Sequence, residues 1–218
     1  NPLIKRFLED VPFRLQITLH VSLGINLLYA VVNGGSGAYY RSVWFGTLSV
    51  YYIFLTVMRF LLARYSRQHG FGRDRKAELH RYRLCGAVLV PMNLALAGVV
   101  VLVIYQNEGF EYAGTLIYAM ALYTFYITVM AVINLVRYRK YNSPVMSASR
   151  AVNLAAALVS MLSLETAMLT QFDDGTTAPY FRPLMVGITG GVVCALVVGM
   201  GAYMITHATR ELREMEAN

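Results

Sequence analysis

Charged residues are scarce in this sequence. Only 14% of its 218 residues are Asp, Glu, Lys or Arg, whereas 57% are hydrophobic. A soluble domain carries roughly 25% charged residues, so this shortage excludes an ordinary soluble domain. The net charge of +7 does not indicate nucleic-acid binding, because the basic residues lie between apolar runs. The lipid bilayer is therefore the expected partner, and no nucleic acid is expected.

The sequence also lacks the motifs of common catalytic and metal sites. It contains no phosphate-binding Gly-rich loop with Lys, no Gly-x-Ser-x-Gly elbow and no zinc-type His pair. The two cysteines, Cys85 and Cys194, fall in different apolar runs without ligand-type spacing, so we expect neither a disulfide nor a metal. We predict no cofactor, and the sequence does not favour an enzyme.

Long apolar runs dominate what is present. A membrane-spanning helix needs about 20 mostly apolar residues, because the hydrocarbon core is roughly 30 Å thick and each residue rises about 1.5 Å. Six stretches meet this requirement: residues 15–32, 43–63, 84–105, 114–136, 151–172 and 184–206. They predict an all-α integral membrane protein in which residues 1–218 form a single six-helix transmembrane domain.

The basic residues predict the orientation, since Lys and Arg are retained on the cytoplasmic side. Of the 19 basic residues, all but Arg41 and Arg182 lie in or next to the two terminal segments and the second and fourth connections. We therefore predict that both termini are cytoplasmic, in the plasma membrane. The basic connection 64–83 is expected to contact anionic lipid or a cytoplasmic partner. Asp74 is predicted to cap a helix there. Arg59 is predicted to snorkel to the headgroups, and the alternative is a functional role towards a phosphate or carboxylate ligand reached from the cytoplasm.

A weak internal repeat relates the second and fourth predicted helices. Four residues of the second helix recur in the fourth at one constant offset: Tyr51, Thr56, Val57 and Met58 match Tyr123, Thr128, Val129 and Met130. This pattern favours three tandem two-helix hairpins in a pseudo-threefold arrangement. Chance similarity between apolar helices is the alternative.

Glu165 is the only carboxylate well inside a predicted span. An ionisable residue at such depth indicates either a functional site or an ion pair. Arg41 and Arg182, at the ends of the second and sixth predicted helices, are candidate ion-pair partners. Two interpretations stay open: a structural ion pair, and a binding site for a substrate, an ion or a proton.

Other polar side chains are also predicted to lie deep in the spans. They are tyrosines of the second and fourth helices and an amide of the third: Tyr51, Tyr52, Tyr123, Tyr126 and Asn93. One interpretation is an aromatic cavity for an organic solute. The other is core packing, in which the hydroxyls and the amide join helices through hydrogen bonds.

Small residues recur every four positions in the sixth predicted helix, at Gly187, Gly191, Ala195 and Gly199. Such a face lets another backbone approach closely. We predict that the sixth helix packs through this face, either within one chain or against a second subunit of a homo-oligomer.

These features favour a small membrane transporter or channel, or the membrane subunit of one, for an ion or small solute that the sequence does not identify. The alternative is an accessory or sensory membrane subunit that docks a cytoplasmic partner through its basic connection. An unchanged uptake or conductance in Glu165→Gln would count against a transport site at that carboxylate.

Overall fold

The computed structural model describes residues 11–40, 43–69, 74–106, 116–137, 143–172, 178 and 180–217. These residues form six helices and no strand: α1 (Val11–Tyr40), α2 (Val43–His69), α3 (Arg75–Gln106), α4 (Leu116–Arg137), α5 (Pro144–Gln171) and α6 (Phe181–Ala217). Each helix contains or largely overlaps one of the six predicted apolar stretches. The all-helical prediction is thus confirmed for the part of the chain that the structure describes.

Length and composition separate the helices into two groups. Four of them, α2, α3, α5 and α6, are long and apolar enough to cross a membrane. The other two contain shorter apolar segments, Leu23–Gly35 in α1 and Met120–Ile133 in α4, among the described residues. Large apolar side chains such as Leu122 also lie on the surface of the bundle. An integral membrane protein accounts for these features.

The helices pack mainly as three pairs. The most extensive contact joins α3 to α6, followed by α1 with α2 and α4 with α5. Helix α5 also contacts α2, α3 and α6, and its side chains Val152, Val159 and Leu162 are fully buried. Helix α5 is therefore the central helix of the bundle.

Glycine permits the close approach of α3 and α6. A Cβ atom added to Gly86 would lie 2.7 Å from the carbonyl oxygen of Gly201, and one added to Gly190 would lie 2.8 Å from a methyl group of Val100. No side chain fits at such distances without a shift of its neighbours. The buried face of α6 consequently runs through Gly190 and Gly201.

The small-residue face predicted from the sequence is a different one. Gly191 and Gly199 have no neighbouring atom within 4 Å of an added Cβ, and Ala195 is exposed. Of these four residues, only Gly187 approaches another helix: a Cβ atom added to it would lie 3.3 Å from the Cδ1 atom of Ile104 in α3. Among the described residues, packing within one chain therefore uses this face only at Gly187, and the subunit contact stays a prediction.

The packing does not reproduce three consecutive hairpins. Helices α3 and α4 are not among the packed pairs of the described residues, and α6 lies mainly against α3 rather than α5. The matched repeat positions nevertheless face the same way, since Val57 and Val129 are both exposed while Thr56 and Thr128 are turned inward. The repeat and its pseudo-threefold arrangement remain predictions.

One end of the bundle carries most of the described basic residues. Helices α2, α4 and α6 end there, and α3 and α5 begin there; we call it the basic end. The predicted cap at Asp74 is confirmed, because its carboxylate accepts a hydrogen bond of 3.0 Å from the Ala77 N–H. From there α3 continues without a break into its apolar part, and α6 extends past its predicted end to Ala217.

Candidate functional site

A buried hydrogen bond links α2 and α5 in the interior of the bundle. The hydroxyls of Tyr52 and Ser160 lie 2.7 Å apart, and both residues are fully buried. The Thr124 hydroxyl of α4 also reaches this point and donates to the Ser160 carbonyl oxygen at 3.4 Å. Three helices therefore converge on Ser160.

Aromatic rings extend this site towards α1. The rings of Tyr29 and Tyr123 stack with centroids 4.1 Å apart, and Tyr29 meets Tyr52 edge to face at 4.7 Å. The Tyr123 hydroxyl donates a hydrogen bond of 2.8 Å to the side-chain oxygen of Asn26. Helices α1, α2, α4 and α5 thus enclose a group of polar and aromatic side chains, which we call the polar centre: Asn26, Tyr29, Tyr52, Arg59, Tyr123 and Ser160.

Arg59 adds a positive charge to the polar centre. It follows Tyr52 by seven residues, which is about two helical turns and places both on the same face of α2. Its side chain is fully buried and lies in electrostatic range of Tyr52 and Tyr123. The predicted snorkelling to the headgroups is wrong, because this face of α2 points into the bundle rather than to its surface.

The polar centre collects some of the predicted candidates and leaves others out. Tyr52 and Tyr123 belong to it, and the buried Tyr51 ring lies beside Tyr52 with centroids 6.1 Å apart. Tyr126 is 39% exposed, on the outward side of α4. Asn93 is buried, but its amide donates a 3.1 Å hydrogen bond to the Cys194 carbonyl oxygen and so joins α3 to α6. It acts as a helix contact there.

Glu165 lies away from the polar centre, at the rim between α5 and α6. Its carboxylate is half-buried and accepts a hydrogen bond of 3.0 Å from the Thr189 hydroxyl. Met161 and Met168, which precede and follow it by about one turn, are exposed. Arg182 is half-buried in the first turn of α6, and Arg41 lies outside the described residues. The ion pairs predicted for Glu165 therefore remain predictions.

Several residues of the site were not among the site residues predicted from the sequence. In α1, Asn26, Tyr29 and Asn33 are all buried and are spaced as i, i+3 and i+7, which marks one face of a helix. In α5, Ser160 and Ser163 are spaced as i and i+3 in the same way. In the sequence, the inward face of α1 and of α5 is indicated by polar residues that follow helical spacing inside an apolar run.

A second buried carboxylate, Glu78, was also missed. It is fully buried in the first turn of α3 and accepts a hydrogen bond of 2.7 Å from the Ser143 hydroxyl. Its position outside the predicted apolar span made it look solvent-exposed. The contact joins the beginnings of α3 and α5 at the basic end.

Comparison with known proteins adds no further assignment. No protein-family model, curated protein or solved structure matches this chain. Within the ranges that the structure describes, no three His, Cys, Asp or Glu side chains come together as a possible metal site. The functional argument therefore rests on the polar centre.

Proposed function

We propose that the protein is a small membrane transporter or channel, or the membrane subunit of one, which handles an ion or small polar solute at its polar centre. In this proposal all six helices cross the plasma membrane, and the basic end and both termini are cytoplasmic. The single observation that supports it is the burial of Arg59 among tyrosines where α1, α2, α4 and α5 meet.

Packing alone does not require such a centre. Hydrogen bonds between membrane helices contribute only about 0.6–2 kcal/mol each, and apolar side chains or glycine give comparable packing. An ionisable side chain inside a membrane span is costly and typically serves an ion or substrate pathway. The combination of Arg59 with the hydroxyls of Tyr52, Tyr123 and Ser160 therefore favours a site over a purely structural core.

The chemistry of the polar centre favours an anion or a neutral polar solute over a cation. A guanidinium provides only N–H donors, and each tyrosine or serine hydroxyl can donate as well as accept. The Asn26 amide oxygen, the one carbonyl-type side-chain acceptor of the group, is used by Tyr123. Counted as chemical groups, N–H and O–H donors therefore outnumber carbonyl-type acceptors among the six residues of the polar centre.

The proposal is tested by measuring flux into liposomes that contain the purified protein. We would offer a panel of labelled inorganic anions, inorganic cations and small polar organic solutes, and expect uptake of one anion or polar solute above protein-free liposomes. Tyr52→Phe and Tyr123→Phe each remove one hydroxyl from the polar centre. Each is expected to lower that uptake roughly tenfold, the effect of about 1.4 kcal/mol.

Tyr126→Phe is the matched control, because it removes the same group from the outward side of α4. It is expected to leave the uptake unchanged. Equal uptake by all three variants, or no uptake of any solute in the panel, would contradict the proposal. A loss of uptake in Glu165→Gln without a loss in the tyrosine variants would move the site to the α5–α6 rim.

The accessory-subunit alternative is favoured by one observation at the basic end. The first turn of α3 and the end of α6 are tied by Arg75–Glu211 at 2.9 Å and Lys76–Glu216 at 3.8 Å, which gives a continuous two-helix surface beyond the apolar segments. A subunit would use this surface to dock a partner. Copurification of a companion protein from native membranes, lost in Lys76→Glu, would support that function.

A further inference from the structure

A cleft opens at the basic end, where α5 begins. Its volume is about 720 Å³, within the roughly 300–1,000 Å³ typical of small-molecule sites. Four helices contribute to its wall: α3 at its beginning, α4 at its end, α5 at its beginning and α6 near its end. We call it the basic cleft, and it is separate from the polar centre in the residues that line it.

Arg150 lies in the wall of the basic cleft with no carboxylate partner. Its guanidinium is half-buried and donates a hydrogen bond of 2.7 Å to the Ser147 hydroxyl one turn earlier. Among the described residues it forms no ion pair. A half-buried arginine that lacks an acidic neighbour leaves most of its N–H donors available to a ligand.

The other charges of the basic cleft do not neutralise Arg150. Glu211 is the one carboxylate in its lining, and it is already shared by Arg75 at 2.9 Å and His207 at 3.6 Å. Among the side chains that line the cleft, two arginines therefore face one carboxylate, so the lining itself is positive even when His207 is neutral; the buried Glu78 carboxylate lies behind the lining residue Ser143. Arginine forms paired hydrogen bonds with carboxylate and phosphate groups, so the ligand is expected to be an anion.

The deeper wall of the basic cleft is apolar. Leu154 follows Arg150 by one helical turn, about 6 Å further along α5, and Leu135 of α4 and Met200 of α6 line the same part. Leu135 is exposed on the surface of the bundle, so the apolar wall continues towards the lipid. The cleft thus has a cationic part at its opening and an apolar part below it. An anionic amphiphile has the complementary arrangement of a charged headgroup and an apolar chain.

We propose that the basic cleft binds an anionic phospholipid of the leaflet at the basic end. Its phosphate contacts Arg150 and Arg75, and the beginning of one acyl chain lies against Leu135, Leu154 and Met200. This inference rests on the proposed membrane placement of the basic end but not on transport. A soluble phosphate compound shares the headgroup chemistry, but it would make no use of the apolar wall.

The proposal is tested by titrating phosphatidylglycerol or phosphatidylcholine into the purified protein in a neutral detergent and counting bound lipid by native mass spectrometry. We expect phosphatidylglycerol to bind at least tenfold more tightly. Arg150→Gln is expected to weaken phosphatidylglycerol binding by roughly tenfold or more, because it removes a charge-assisted hydrogen bond. Arg64→Gln is the matched control: it removes an exposed charge at the end of α2, outside the cleft.

Ala151→Phe provides an independent steric variant, because Ala151 lines the cleft and the larger ring would fill it without changing a charge. It is expected to lower phosphatidylglycerol binding while Arg150 is intact. Equal loss in Arg150→Gln and Arg64→Gln would overturn the proposal in favour of diffuse charge attraction. Displacement of the lipid by millimolar inorganic phosphate would overturn it in favour of a soluble ligand. Neither result depends on the uptake assay, so the two proposals fail separately.

Discussion

The hydrogen bond between Tyr52 and Ser160 joins α2 to α5 where neither side chain is exposed. Removing one partner has unequal consequences. After Ser160→Ala, the buried Tyr52 hydroxyl has no partner, which costs about 1–3 kcal/mol. After Tyr52→Phe, the Ser160 hydroxyl can bond to a carbonyl of its own helix, so the cost is expected to be smaller, about 0.6 kcal/mol.

We therefore predict that Ser160→Ala lowers the free energy of unfolding more than Tyr52→Phe does. The double variant should lose less than the sum of the two, because the second substitution removes a hydroxyl that is already unpaired. The measurement is reversible unfolding in detergent micelles, with Tyr126→Phe as the unaffected control. Strictly additive losses would show that the two hydroxyls do not interact.

The depth of single residues was more predictable than the direction in which they point. Hydropathy places Tyr52, Arg59 and Tyr126 within a span, but a helix in lipid is apolar on every side, so periodicity does not mark its inner face. For this reason Tyr126 was grouped with the deep tyrosines and Arg59 was assigned to the headgroups. The inner face was readable only where polar residues follow helical spacing, as for Asn26 and Tyr29.

At the scale of helices, the contact of α3 with α6 depends on a glycine from each. Gly86→Ala would place a methyl group 2.7 Å from the Gly201 carbonyl oxygen, a backbone atom that moves only with its helix. We predict a loss of about 1–3 kcal/mol in the free energy of unfolding, the usual effect of overpacking. Unfolding in detergent micelles measures this loss.

Gly98→Ala is the control on the same helix. An added Cβ at Gly98 meets no atom within 4 Å, so this substitution should leave stability unchanged or raise it by up to about 1 kcal/mol through helix propensity. If both substitutions had the same effect, α3 and α6 would not be in close contact at Gly86.

The positions of the helices followed from the sequence because span length and hydropathy are local properties. The pairing of the helices did not, because small residues occur on two faces of α6. One face contains Gly191 and Gly199, and the other contains Gly190 and Gly201. The face that is used depends on Gly86 of α3, a residue more than 100 positions away that no pattern within α6 can reveal.

At the scale of the whole molecule, the proposed orientation predicts opposite exposure of two positions. Gly35 lies near the end of α1 opposite the basic end, and Met215 lies in the last turns of α6; both are exposed. In a Cys85→Ser, Cys194→Ser background, a membrane-impermeant thiol reagent should label Gly35→Cys in intact cells. It should label Met215→Cys only after permeabilisation.

Labelling of both positions in intact cells would mean that an even number of membrane crossings lies between Gly35 and Met215, whereas the six-span arrangement has five. Labelling of Met215→Cys alone in intact cells would show that the orientation is the reverse of the one proposed. Either result would also move the basic cleft away from the cytoplasmic leaflet, although the contacts within the bundle would be unaffected.

The pairing of α3 with α6 has a consequence for how the protein is made. The Asn93–Cys194 hydrogen bond joins positions 101 residues apart, and translation adds about 5–20 residues per second. Roughly 5–20 s therefore pass between the synthesis of α3 and the synthesis of α6. Throughout that interval the Asn93 amide and Gly86 lack their contacts with α6, so the most extensive helix contact of the bundle forms only after α6 has been synthesised.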